Sequence, residues 1–134
     1  MSEGLNIMVV DDSEDLRELI SMVLERHPEG WRVVATAAEG RAAVDQARTS
    51  QPDLVLLDIA MPVMDGLQAL TLIREESPGS IVVMLSAFSA STGAPERAMA
   101  LGAHGYVEKG GGAPALVADL RAVLAREFGI KGRD

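Results

Sequence analysis

Apolar residues fall along the chain in two alternating rhythms. Continuous aliphatic runs occur at "NIMVV" (Asn6–Val10), "DLVLL" (Asp53–Leu57) and "SIVVML" (Ser80–Leu85), the pattern of strands covered on both faces of a parallel sheet. Two mixed or shorter runs, "WRVVAT" (Trp31–Thr36) and "GYVE" (Gly105–Glu108), belong nearer the sheet edges. Between the runs the spacing becomes helical. In "SEDLRELISMVLERH", Leu16, Leu19, Ile20, Val23 and Leu24 form one continuous stripe, as a helix with one buried face requires. Ser13 is placed to cap this helix, with Glu14 and Asp15 at the positive end of its dipole. Pro28 and Gly30 are its stop signals. Glu39–Arg48 carries Ala43, Val44 and Ala47 on one side, and Asp65 can cap a third helix that turns Leu67, Leu70 and Ile73 inward. Pro95 suits the first turn of a short fourth helix ending near Gly102. Leu116, Val117, Leu120, Val123 and Leu124 mark the last.

Strand and helix thus alternate five times with short links. The prediction is an α/β fold, a doubly wound five-stranded parallel sheet with right-handed crossovers. Periodicity leaves the strand order open. A chain of 134 residues, 48% of them hydrophobic, suits one domain with a self-sufficient core. That domain is expected over residues 1–128, with 129–134 as a flexible tail or linker stub.

Composition narrows the chemistry. With no cysteine, disulfides, thiolate metal sites and thiol catalysis are excluded. No apolar run approaches the ~20 residues of a membrane span, and "MSEGLNIMVVDD" lacks the basic start of a secretory signal. A cytoplasmic protein is expected. Its net charge of -8 repels phosphate backbones and anionic lipid, so neither nucleic acid nor membrane is an expected partner.

In an open parallel sheet, ligands bind beyond the carboxyl ends of the strands. The residues due there are Asp11 and Asp12 after the first strand, Asp58 after the third, Ser86 after the fourth and Lys109 after the fifth. Three crowded carboxylates repel unless a proton or a cation intervenes, and an all-oxygen, partly hydrated set suits Mg²⁺. An ammonium and a hydroxyl opposite the cation fit phosphoryl oxygens. A carboxylate between the two can attack phosphorus, giving an aspartyl phosphate. Singly, each residue has a plainer role. Asp11 and Asp12 could cap the first helix, Asp58 could be a solvated strand end, Ser86 a turn cap and Lys109 a surface charge. Joint placement at one rim argues otherwise, and with ten arginines and two lysines in the chain, a lysine here is mildly informative.

"VVDDSEDLR", "PDLVLLDIAMPVMDG", "VVMLSA" and "ALGAHGYVEK", in this order and spacing, resemble the receiver domains of two-component response regulators, chemotaxis-regulator-like in size. The resemblance runs from Asn6 to about Arg126. It implies a flavodoxin-like (β/α)5 fold with strand order 2-1-3-4-5. It implies Asp58 as phosphoacceptor; Mg²⁺, with Mn²⁺ as substitute, on Asp12, Asp58 and the Ala60 carbonyl; and Asp11 acting largely through water. It also implies Ser86 and Lys109 on phosphoryl oxygens, a small Ala87 leaving room for the donor, and Tyr106 turning inward as Ser86 moves. The plainer role for Tyr106 is a ring packed on an edge strand. The implied partner is a sensor histidine kinase or phosphotransfer protein, and the protein would be a signalling phosphoacceptor, not an enzyme acting on other substrates. The alanine-rich fourth helix, the fifth strand and the fifth helix form a candidate homodimer face.

One departure stands out. The family usually has proline, joined by a cis bond, after the lysine, whereas Lys109 here precedes Gly110, Gly111 and Gly112. Three glycines raise the entropy lost on ordering, so a mobile fifth loop with a less firmly placed lysine, and slower phosphotransfer, is expected. Three rival readings meet obstacles in the sequence. A haloacid-dehalogenase-type phosphohydrolase needs an acid where Ala60 stands. A flavodoxin-like cofactor binder needs a Gly-rich loop where "DDSEDLR" stands. A degenerate receiver would have lost an acid, the hydroxyl or the lysine, and all are present.

Overall fold

The computed structural model describes residues 4–26, 30–61, 64–86 and 93–128. Its elements are β1 (Leu5–Val10), α1 (Glu14–Glu25), β2 (Trp31–Ala37), α2 (Gly40–Ser50), β3 (Leu54–Asp58), α3 (Gly66–Glu76), β4 (Ile81–Ser86), α4 (Ala94–Ala100), β5 (Gly105–Glu108) and α5 (Gly112–Phe128), with a 3-10 turn over Lys109–Gly111 before α5. All pairings are parallel, and the order is β2-β1-β3-β4-β5. The expected doubly wound fold and strand order are those observed.

The alternation of side chains along each strand explains why three runs are continuously apolar. Ile7, Val9, Leu54, Leu56, Val83, Leu85 and Val107 face a core closed by Ile20 and Leu24 of α1 and by Leu120 and Leu124 of α5. Met8, Val10, Val55, Leu57, Val82 and Met84 face the opposite core, closed by Val44, Leu70, Ile73 and Ala98. Neither face of β3 or β4 meets water. At the edge, β2 alternates buried and exposed positions and leaves Val34 exposed.

Local signals at helix starts hold. Ser13 accepts a hydrogen bond from the Leu16 amide, Pro95 stands in the first turn of α4, and Asp65 forms a reciprocal capping box with Gln68. Two boundaries shift for identifiable reasons. Asp53 precedes β3 because its carboxylate accepts the Asn6 amide at 2.9 Å, so the strand begins at Leu54 and takes in Asp58. Glu39 lies outside α2 as its N-cap, accepting from the Arg41 and Ala42 amides. Pro28 and the tail 129–134 fall outside the described residues.

Candidate functional site: an acidic rim closed by a lysine

The first strand ends at Val10, and the next residue is held at its amide, its carbonyl and one carboxylate oxygen, with the other oxygen in an ion pair. The Asp11 amide donates to the Ala37 carbonyl at 3.1 Å. Its Oδ1 accepts from the Ser13 amide at 2.9 Å, and its carbonyl accepts from Arg17 Nη1 at 2.7 Å. Its Oδ2 faces Lys109 Nζ at 2.7 Å. Asp11 is fully buried while Asp12 beside it is exposed. The turn therefore presents one desolvated and one hydrated carboxylate.

Asp58 is the last residue of β3 and is 1% exposed. Its Oδ1 accepts from the Ala60 amide at 3.2 Å and lies 3.3 Å from Lys109 Nζ. Its Oδ2 is buried and, among the described residues, lacks a hydrogen-bond partner. The exit from the strand is tight. The Gly66 amide donates to the Ile59 carbonyl at 2.7 Å, and a Cβ on Gly66 would collide with the backbone of Asp58 and Ile59. Glycine at this point lets the start of α3 approach the end of β3.

One carboxylate oxygen from each of Asp11, Asp12 and Asp58 lies within 4.8 Å of the other two. Burial and then the charge of Asp11 push the Asp58 carboxyl above its ordinary range, opposed in part by Lys109 and the Ala60 amide. Burial alone would lower Lys109, but its bond to Asp11 and the charges of Asp58 and Asp11 outweigh that and hold its ammonium above the usual range. Lys109 thus stays charged, and one ammonium faces three carboxylates. An all-oxygen donor set, one member open to water and one buried oxygen without a partner, fits a hard divalent cation such as Mg²⁺.

The remaining expected residues fall around this cluster. Ser86 ends β4, 1% exposed, one position beyond Leu85, which pairs with Asp58. Ala60 is exposed just past Asp58 and holds it through its amide. Tyr106 pairs with Met84 and is half-buried against the core of α2, α3 and α4. Ala87 lies outside the described residues. Among the described residues every peptide bond is trans, including that after Lys109. Sequence reasoning passed over Arg17 and the amides of Ser13 and Ala60. The available signal for Arg17 was a cation in the first turns of a helix that opens Glu14-Asp15.

Fold and site together define a flavodoxin-like α/β protein with an acidic pocket at the carboxyl ends of its strands, closed by a lysine. Residues 7–121 match the response regulator receiver domain, and the chain belongs to that family. It is 42% identical over 78% of its length to a protein-glutamate methylesterase/protein-glutamine glutaminase of Oleidesulfovibrio alaskensis, covering 28% of that protein. It is 40% identical over 92% of its length to a Mycobacterium tuberculosis protein named "Probable transcriptional regulatory protein TcrX", covering 51%. The chain therefore spans about a quarter to a half of these relatives' lengths. Among solved structures it is similar to the CheX-CheY-BeF3-Mg complex of Borrelia burgdorferi, with TM-score 0.80 and 28% identity, covering 90% of this chain and 89% of that one. The fold and family implied by the sequence motifs are those found.

Proposed function

We propose that this receiver domain takes a phosphoryl group onto Asp58 from the phosphohistidine of a sensor histidine kinase or phosphotransfer protein. The observation that carries this reading is the buried Asp58 carboxylate, one oxygen held and the other without a partner, set between two further carboxylates and Lys109. A bond forms between a carboxylate oxygen of Asp58 and phosphorus as the bond from phosphorus to the donor's imidazole nitrogen breaks, and that nitrogen takes the electron pair. Asp11, Asp12, Asp58 and the Ala60 carbonyl would hold Mg²⁺, for which Mn²⁺ substitutes. When bound, the metal supplies neutralisation of carboxylate and phosphoryl charge. Lys109 and Ser86 hold phosphoryl oxygens, and Ala87 leaves room for the donor. Tyr106 turns inward as Ser86 moves. Water resets the switch by hydrolysing the acyl phosphate, so the chain promotes only its own phosphotransfer and dephosphorylation.

The output surface in this reading is that of α4, β5 and α5, where Met99 and Leu101 are exposed, and it receives a partner, an output domain or a second copy of the chain. The net charge of -8 favours protein over nucleic acid as the direct partner. Among the described residues no helix is long and apolar enough to cross a membrane, which supports action in the cytoplasm. The test is incubation with Mg²⁺ and a small acyl phosphate, followed by mass measurement. One phosphoryl gain is expected, absent in Asp58→Asn. No gain in the wild type, or an undiminished gain in the variant, overturns the reading.

A further inference from the structure

We infer that Arg17 is a positioning residue for the cation site, acting through the backbone carbonyl of Asp11. This rests on the reading of Asp11, Asp12 and Asp58 as the cation ligands. Arg17 lies one helical turn beyond the Ser13 cap, and its amide donates to the Ser13 carbonyl at 2.9 Å. From there its Nη1 reaches back to the Asp11 carbonyl at 2.7 Å. The peptide unit it holds joins Asp11 to Asp12, so the hydrogen bond restrains the backbone torsions that relate the two carboxylates.

The other anchors of Asp11 act elsewhere. The Ala37 carbonyl fixes its amide and the Ser13 amide fixes its Oδ1. Neither bond holds the peptide between Asp11 and Asp12 directly, and Asp12, which is exposed, has no comparable burial to fix it. Arg17 is the side chain that holds that peptide.

Local electrostatics makes the choice of arginine informative. A cation near the N-terminal end of a helix opposes the macrodipole. A cation beside a divalent-metal site also opposes metal binding by Coulomb repulsion. Neither effect favours arginine here, and its bond to the Asp11 carbonyl offsets both. The two possible roles consequently predict opposite signs. If Arg17 were only a nearby charge, its removal would tighten Mg²⁺ binding. If it positions the turn, its removal weakens binding.

The experiment titrates Mg²⁺ alone into the apo protein by calorimetry, comparing wild type with Arg17→Gln, Arg17→Met and Arg17→Lys. Midpoints of thermal unfolding and the amide spectrum of Asp11–Ser13 are recorded alongside. Loss of an outer-shell partner of this kind costs about tenfold in metal affinity at the lower end of its usual range. That weakening is expected for Arg17→Met, with partial rescue in Arg17→Lys, which keeps a donor. The Asp12 amide resonance, on the peptide whose carbonyl is freed, shifts in the apo state. In phosphorylation by a small acyl phosphate, the Mg²⁺ concentration for half-maximal rate rises while the rate at saturating Mg²⁺ stays near wild type. Should Arg17→Met fail to fold, Arg17→Gln and Arg17→Lys carry the comparison. Unchanged or tighter Mg²⁺ binding in the folded variants overturns the positioning role. Absence of Mg²⁺ binding by the wild type overturns the underlying cation-site reading, and this inference with it.

Discussion

A carboxylate that must be ionised to act, buried where ionisation is disfavoured, costs the apo protein stability. Burial and the charge of Asp11 hold the Asp58 carboxyl above its ordinary range. An acid raised in the folded state stabilises the fold most below its unfolded value, near 3.8, and that contribution is lost as pH climbs through the raised value. At neutral pH the ionised Asp58 is therefore a net liability, tolerated because Lys109 stands 3.3 Å away. Asp58→Asn keeps the shape and an acceptor for the Ala60 amide while removing the charge. It is expected to raise the unfolding midpoint at pH ~7 in metal-free buffer, and the gain should shrink when the same comparison is made under acid. A calorimetric scan of both proteins with a chelator present checks this. A variant less stable than wild type at neutral pH would mean that the Lys109 pair more than compensates the burial, and would weaken the case that Mg²⁺ relieves a charge imbalance. Lys109 would remain paired with Asp11 at 2.7 Å in the variant, so the test does not strand an ammonium.

The elements are legible in the sequence where their causes are local. Ser13 and Asp65 announce helix starts because a cap acts on amides two or three residues away, and Pro95 because a first-turn residue needs no amide donor. The aliphatic runs announce central strands because both faces are covered. Asp58 could be placed at the rim because the rule for parallel sheets needs only the strand's direction. What escapes are contacts to distant backbone atoms, since any residue has a carbonyl or an amide and none leaves a mark in the sequence. Arg17 on the Asp11 carbonyl is one case. The glycine loop escapes for a different reason: Gly110–Gly112 are expected to leave Lys109 loosely placed, but its ammonium is anchored by two carboxylates delivered from the ends of β1 and β3. His104 is a third, and it yields a prediction at the seam of β4 and β5. Its Nδ1 accepts the Val82 amide at 3.0 Å, its own amide donates to the Val82 carbonyl at 2.8 Å, and Arg126 of α5 donates to its carbonyl at 3.0 Å. Burial lowers its pKa, and Arg74 of α3 lowers it further against the opposing charge of Glu127. An imidazole depressed in the folded state stabilises the fold above its ordinary value, near 6.5, and that contribution is lost as pH falls towards the folded value. Asn at this position supplies an acceptor that does not titrate. Between pH ~7.5 and ~5 the wild-type midpoint should fall more steeply than that of His104→Asn. Parallel pH profiles would show that the seam does not depend on the neutral imidazole.

For the whole molecule, the resting state and the phosphorylated state must differ in contacts before a phosphoryl group can shift one to the other. The structure offers a route for such a difference. Lys109 closes the rim directly after β5, the strand that carries Tyr106, and opens the 3-10 turn that leads into α5. In the resting arrangement its ammonium is committed to Asp11 and Asp58. A phosphoryl group adds about -1.5 to -2 charges near neutral pH, and an ammonium that turns to meet those oxygens pulls on β5 and the start of α5. Lys109→Ala cuts that link but leaves the nucleophile and all three carboxylates. This variant is expected to gain a phosphoryl group from a small acyl phosphate, more slowly than wild type, and then to fail in transmitting it. Hydrogen exchange is the readout. In the wild type, phosphorylation should alter protection across α4, β5 and α5, while α2, packed beside β1 and β2 at the opposite edge of the sheet, stays unchanged. In Lys109→Ala the change should be confined to the turns at the rim. Sedimentation of the same samples reports whether the face bearing Met99 and Leu101, both exposed, gathers a second copy only when the link is intact. If Lys109→Ala transmits the change as fully as wild type, the lysine serves the chemistry alone, and the signal must travel through Ser86 and β4.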